Sequence, residues 1–148
     1  MKRLLSTIVL FVGICLVAHA QQGLEINKLF GGKYISDPSV SEVVLSGDQP
    51  FLTKKHLSAM STFRGDAKTY APIIESLVLD DGKDATARNV RYKDGRLQYA
   101  FFALPPDKAK DNRFIYYINN SPGNVILIYI AGRISLSHAE SIIRSLAK

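Results

Sequence analysis

The sequence predicts an α+β domain: a single, mainly antiparallel sheet of about five strands with about three helices packed on one face. Three observations carry this reading. Apolar residues recur at helical spacing near both ends of the chain and once in its middle, while β-branched and aromatic runs fill the stretches between. Asp94-Gly95 stands between two alternating runs, and this pair favours a two-residue hairpin loop because both positions take positive φ. Residues 113–119 (RFIYYIN) and 125–130 (VILIYI) are apolar on both faces, as strands covered on two sides are.

The first twenty residues stand apart from that domain. Met1-Lys2-Arg3 is a short positive start, and an apolar run from Leu4 to Val17 follows. Ala18-His19-Ala20 then supplies the small-x-small pattern of a secretory signal, cleaved between Ala20 and Gln21. The run is shorter than the ~20 residues a spanning helix needs. Cys15 lies inside it behind Ile14, where lipid attachment wants a small residue, so it reads as one more apolar residue of the signal. The chain then divides into a signal at 1–20 and one domain at 21–148.

Of 148 residues, 19 are Lys or Arg and 13 are Asp or Glu. Losing Lys2 and Arg3 leaves 17 basic residues against 13 acidic, a charge of +4 without dense basic clustering. Nucleic acid is therefore not an expected partner. Cys15 is the only cysteine, which excludes a disulfide framework and any thiolate metal site in the mature chain. No later run reaches spanning length, so no transmembrane segment is expected there.

Along the mature chain, Leu24, Ile26, Leu29 and Phe30 suit a short amphipathic helix stopped by Gly31-Gly32. Residues 40–46 (VSEVVLS), between Asp37-Pro38 and Gly47-Asp48, read as a strand. Residues 48–68 fit either a short helix or an ordered loop, with Leu57, Met60 and Phe63 at helical spacing. Pro72 suits a helix first turn; Ile73, Ile74, Leu77 and Val78 form its apolar stripe, and Asp80-Asp81-Gly82 closes it.

In the hairpin, a two-residue loop sets Lys93 opposite Arg96, Tyr92 opposite Leu97, Arg91 opposite Gln98 and Val90 opposite Tyr99. One face then holds Val90, Tyr92, Leu97, Tyr99 and Phe101, and the other Asn89, Arg91, Lys93, Arg96 and Gln98. Pro105-Pro106 ends the second strand, since neither donates to a ladder. An L-Pro-Gly turn twists poorly for a tight hairpin, so the loop around Ser121-Pro122-Gly123 is expected to be the longer kind. Ile128 is expected among the most buried residues. Ser135 and Ser137 compete to cap the last helix, Ser137 with Glu140 as a capping box. Leu136, Ala139, Ile142, Ile143 and Leu146 make its buried stripe.

This order of elements resembles small exported proteins of unknown function from Bacteroidota, catalogued only as domains of unknown function. The apolar strand entering Gly132-Arg133-Ile134-Ser135 carries the likeness, together with Asp80-Asp81-Gly82 ahead of the Gly95-Arg96-Leu97 strand. The resemblance implies a periplasmic or outer-envelope location and brings no activity.

Catalytic and cofactor signatures fail residue by residue. Ser137 and His138 are adjacent on a helix and do not face each other, and no G-x-S-x-G elbow presents a serine. Asp80, Asp81 and Asp84 look like a calcium loop, yet its sixth and twelfth positions hold Ala85 and Arg91 in place of Gly and Glu. Gly32-Lys33 lacks the Gly five residues earlier and the following Ser or Thr that a phosphate loop needs. No cofactor, metal site or catalytic residue is assigned.

Two features remain. Tyr92, Tyr99, Phe101, Phe102, Phe114, Tyr116, Tyr117 and Tyr129 are eight of the thirteen aromatics beyond the signal. Strands and cores use aromatics anyway, but a half-exposed Tyr serves a binding surface. Arg91, Lys93 and Arg96 share the polar side of the hairpin and are the candidate contacts for an anionic partner. The function expected is a non-enzymatic envelope module binding a protein, lipid or glycan. The alternative is a small periplasmic hydrolase with residues gathered from separate strands.

Overall fold

A computed structural model describes residues 23–148; the signal segment and its cleavage point lie outside the described residues. After a 3-10 turn at Glu25–Leu29 come β1 (Ser41–Ser46), α1 (Pro50–Lys54), β2 (Leu57–Asp66) and α2 (Ala67–Asp81). A second 3-10 turn at Gly82–Asp84 leads into β3 (Ala87–Lys93), β4 (Arg96–Leu104), β5 (Asn112–Asn119), β6 (Asn124–Gly132) and α3 (Leu136–Leu146). The strands form one sheet in the order β1-β2-β6-β5-β4-β3, with every neighbouring pair antiparallel. Among the described residues no helix is long and apolar enough to cross a membrane.

The α+β class holds, with two corrections. The sheet has six strands, and the one that sequence spacing missed is β2. Register shifts between Leu57 and Ala59, so Ser58 is an extra residue, and Leu57 and Met60 come to lie in the same core layer. A bulge thus turns the alternation of a strand into a spacing of three, the mark of a helix. Phe63 faces the opposite layer.

The helices are also split between the two faces. Tyr70, Ala71, Ile74 and Val78 of α2, with Ile26 and Leu29, pack on Val125, Leu127 and Tyr129 of β6. Leu52 of α1 and Ala139, Ile142 and Ile143 of α3 belong to the layer of Ile126, Ile128 and Ile130. A central strand apolar on both sides requires two covers, and Ile128 is 1% exposed, as its run predicts.

Local chemistry sets the ends of the elements. Asp66 caps α2 by accepting the Thr69 N–H at 3.1 Å, so Pro72 falls inside the helix and not in its first turn. Ser135 wins the competition at α3, its Oγ accepting the His138 N–H at 3.2 Å. Asp94 and Gly95 take φ of 53° and 76°, as the hairpin loop requires. The β5–β6 connection is the longer one expected: residues 120–123, with a cis Ser121–Pro122 bond.

Gly82 has φ −76°, which any residue adopts, so its role is space. A Cβ there would stand 2.6 Å from the buried Phe102 ring.

Candidate functional site

The hairpin is where sequence and structure part most usefully. Lys93 pairs with Arg96 and Tyr92 with Leu97, as expected, but the register then shifts and Arg91 pairs with Tyr99, Val90 with Ala100. Gln98 is the extra residue. Beyond it the expected faces exchange: Leu97 belongs to the α2 layer, while Tyr99 and Phe101 belong to the α3 layer. Arg91 therefore meets an aromatic ring, its guanidinium 4.7 Å from the centre of Tyr99.

Because α3 has only 11 residues, it roofs the middle of its sheet face and leaves the flanks open. On the β3–β5 flank lies a groove of about 270 Å³ lined by Tyr99, Phe101, Tyr116 and Asn89 from the sheet and by Glu140, Ile143 and Arg144 from α3. Its floor is aromatic. Tyr99 and Tyr116 meet edge to face at 5.5 Å, and Phe101 stacks on Phe114 at 6.0 Å in the same layer. Both tyrosines are half-buried, whereas Phe101 and Phe114 are buried.

The electrostatics follow from that placement. Burial raises the Tyr99 phenol above its ordinary value, and Arg91 pulls the other way. Burial likewise raises Tyr116, with Tyr99 adding to the shift and Arg91 opposing it. Both phenols stay protonated at neutral pH and are available as donors. Arg144 stands 3.7 Å from Glu140 one turn earlier on α3, a pair exposed enough to open for a ligand. The groove thus offers two phenols, the Arg144 guanidinium and an aromatic floor, with Arg91 over the Tyr99 ring. It has the parts to hold and orient a ring bearing negative charge.

The three basic residues singled out by sequence do not form one cluster. Arg91 covers Tyr99 at the groove. Arg96 lies 3.4 Å from Glu75 of α2, and with Lys93 and Asp94 it lines a separate cleft at the hairpin tip. The groove residues that sequence missed are Glu140 and Arg144, whose spacing of four puts them on one helix face without saying which strands lie below.

Other polar constellations are structural. Asp81 accepts the Glu25 and Ile26 N–H groups at 2.7 and 2.9 Å, tying the N-terminal turn to the end of α2; burial holds its carboxyl above the ordinary range. Among the described residues no group of three His, Cys, Asp or Glu side chains is placed to hold a metal ion. His56 and His138 are exposed, and Ser58 Oγ donates to Asp111 at 2.7 Å.

No curated protein and no solved structure matches the chain. A family model matches residues 13–143, most of the sequence, and the chain belongs to that family of unknown function (DUF6108).

Proposed function

We propose that this chain is exported to the cell envelope and that its folded domain is a non-enzymatic binding module for a negatively charged envelope component. Export rests on the three-part pattern of residues 1–20. The observation that carries the binding reading is the groove beside α3, where the half-buried Tyr99 and Tyr116 lie beside Arg144 and Arg91 stands over the Tyr99 ring. Such a surface suits a ring with an acidic substituent: the ring lies on the phenols and the acid meets guanidinium, which favours carboxylate and phosphate. At about 270 Å³ the groove is smaller than the ~300–1,000 Å³ of pockets for drug-sized molecules, so it takes one ring and not a large ligand.

The test uses immobilised acidic polysaccharide, its neutral counterpart, and vesicles with and without anionic phospholipid. The mature protein is expected to be retained on an acidic member of this set and released by salt. Arg91→Ser should weaken retention while melting like the parent, and Tyr116→Ala should weaken it with some loss of stability but a cooperative transition. Equal retention on acidic and neutral supports would refute the reading, as would turnover of a model ester, peptide or glycoside lost with His56 or His138.

A further inference from the structure

We propose that two copies of this chain pair through β1, edge to edge and antiparallel, into a two-fold dimer with one continuous sheet. The inference is independent of the groove, which lies on the far flank of α3.

The two edges of the sheet are unlike. β3, at one end, carries Arg88, Arg91 and Lys93 among seven residues, and its pairing is interrupted by the bulge at Gln98. Basic side chains and bulges are the means by which an edge strand is kept from pairing with another chain. β1, at the other end, has neither. Its register with β2 runs unbroken from Ser41 to Ser46, and it contains no proline. Its single charge, Glu42, is half-buried and turned away to accept the Gly31 N–H at 2.9 Å.

The β1 edge also exposes an apolar side chain, Val43, at 41%. Beside Val43 runs a groove of about 360 Å³, walled by Met60, Ile126, Ile128 and Leu146 and also lined by Thr62 and Arg64 of β2. Across the strands Val43 stands opposite Thr62, and Thr62 opposite Ile128, so Val43 ends a row that runs under α3. A second β1 extends that row and covers Val43, while its backbone takes up the unpaired N–H and C=O groups of the edge.

Charge selects the occupant. Joining β3 to a second β3 sets like charges across the new strand pair, which is destabilising. Joining β1 to β3 is heterologous and leaves a free edge at each end, the geometry of an open fibre. β1 on β1 buries twice an edge that carries no basic residue and whose one carboxylate, Glu42, already accepts the Gly31 N–H, and it leaves a basic edge at each end of the widened sheet. It closes at two copies.

Sedimentation equilibrium of the mature chain tests this. The parent should show twice the chain mass, and Val43→Lys, which sets a like charge near its own copy, should show half the parent's value while still melting cooperatively. Tyr92→Lys at the opposite edge should leave the dimer intact. Hydrogen exchange of the parent at concentrations about a hundredfold apart is a second reading, since dimerisation follows mass action. The β1 amides should gain protection with concentration, and it decides the question if Val43→Lys does not fold. A parent that stays monomeric, a folded Val43→Lys that stays dimeric, growth beyond two copies, or β1 protection independent of concentration would each overturn the proposal.

Discussion

The guanidinium of Arg91 lies 4.7 Å from the centre of the Tyr99 ring, directly across the β3–β4 pair. The two meet because Gln98 is an extra residue in β4; in an unbulged hairpin Arg91 would face Gln98. One residue of register thus moves a cation from a solvated hairpin side to an aromatic groove.

That relationship separates Arg91 from Arg96, and retention on an anionic support should show it. Arg91→Ser is expected to lose several-fold in retention at low salt and to approach the parent as salt screens the charges over a Debye length of ~8 Å. Arg96→Ser removes a partner of Glu75 and should leave retention near the parent's. Equal losses in the two variants would make the whole hairpin the contact surface and take the groove out of the account.

Export makes an independent forecast. The protein recovered from the envelope should have the intact mass of a chain beginning at Gln21, free or cyclised. With Cys15 gone, its melting temperature should not respond to reductant. Acyl chains on Cys15 would contradict both statements.

At Gly82, adding one methyl group decides between two effects. Gly to Ala in a helical conformation ordinarily gains up to ~1 kcal/mol. Here the methyl would stand 2.6 Å from the ring of Phe102, itself 2% exposed and without room to turn. Overpacking of that kind costs ~1–3 kcal/mol, so Gly82→Ala should lower stability in denaturant titration. A gain would mean that the Phe102 ring moves freely.

Alkaline titration reads the buried phenols. Tyr117 is held up to about 12 by burial and by Glu75, and Tyr70 up to about 12 by its hydrogen bond to Asp37. Burial drives Tyr129 further in the same direction. Each is raised above the ordinary value near 10, so the native state keeps protons that the unfolded chain gives up. Stability is then complete below pH 10 and declines as pH rises from there toward 12. Phenolate absorbance of these groups should appear together with unfolding; free titration near pH 10 in a folded protein would refute their burial.

Much of the fold was legible because its signals are local. The Asp94-Gly95 loop, the both-sided strands around Ile128 and the Ala139, Ile142 and Ile143 stripe of α3 depend on neighbours in sequence, whereas Leu136, expected in that stripe, is 43% exposed in the first turn. What escaped was set by bulges. Ser58 disguised β2 as a helix, and Gln98 exchanged the two faces of the hairpin, because inserting one residue shifts a period of two by half. The site was half legible for the same reason. Arg91 and the tyrosines stood out by type, but their grouping needed the Gln98 bulge and the docking of Glu140 and Arg144 over β4 and β5. Neither is written in spacing.

Ile128 is the sharpest probe of the central layer. It sits on β6 between Thr62 of β2 and Tyr116 of β5, 1% exposed and in the apolar cluster that α3 roofs. Asp at this position buries a carboxylate in an apolar layer, and the neutral acid is still a buried polar group. The expected loss is ~3–5 kcal/mol, a large part of the ~5–15 kcal/mol that holds a domain of this size together. Ile128→Asp should therefore be unfolded or nearly so by circular dichroism at room temperature. Ile128→Val, which removes one methylene, should cost only ~0.5–1.5 kcal/mol and keep the cooperative transition. If the Asp variant melted like the parent, Ile128 would not lie under α3, and the layer that floors the groove would have to be redrawn.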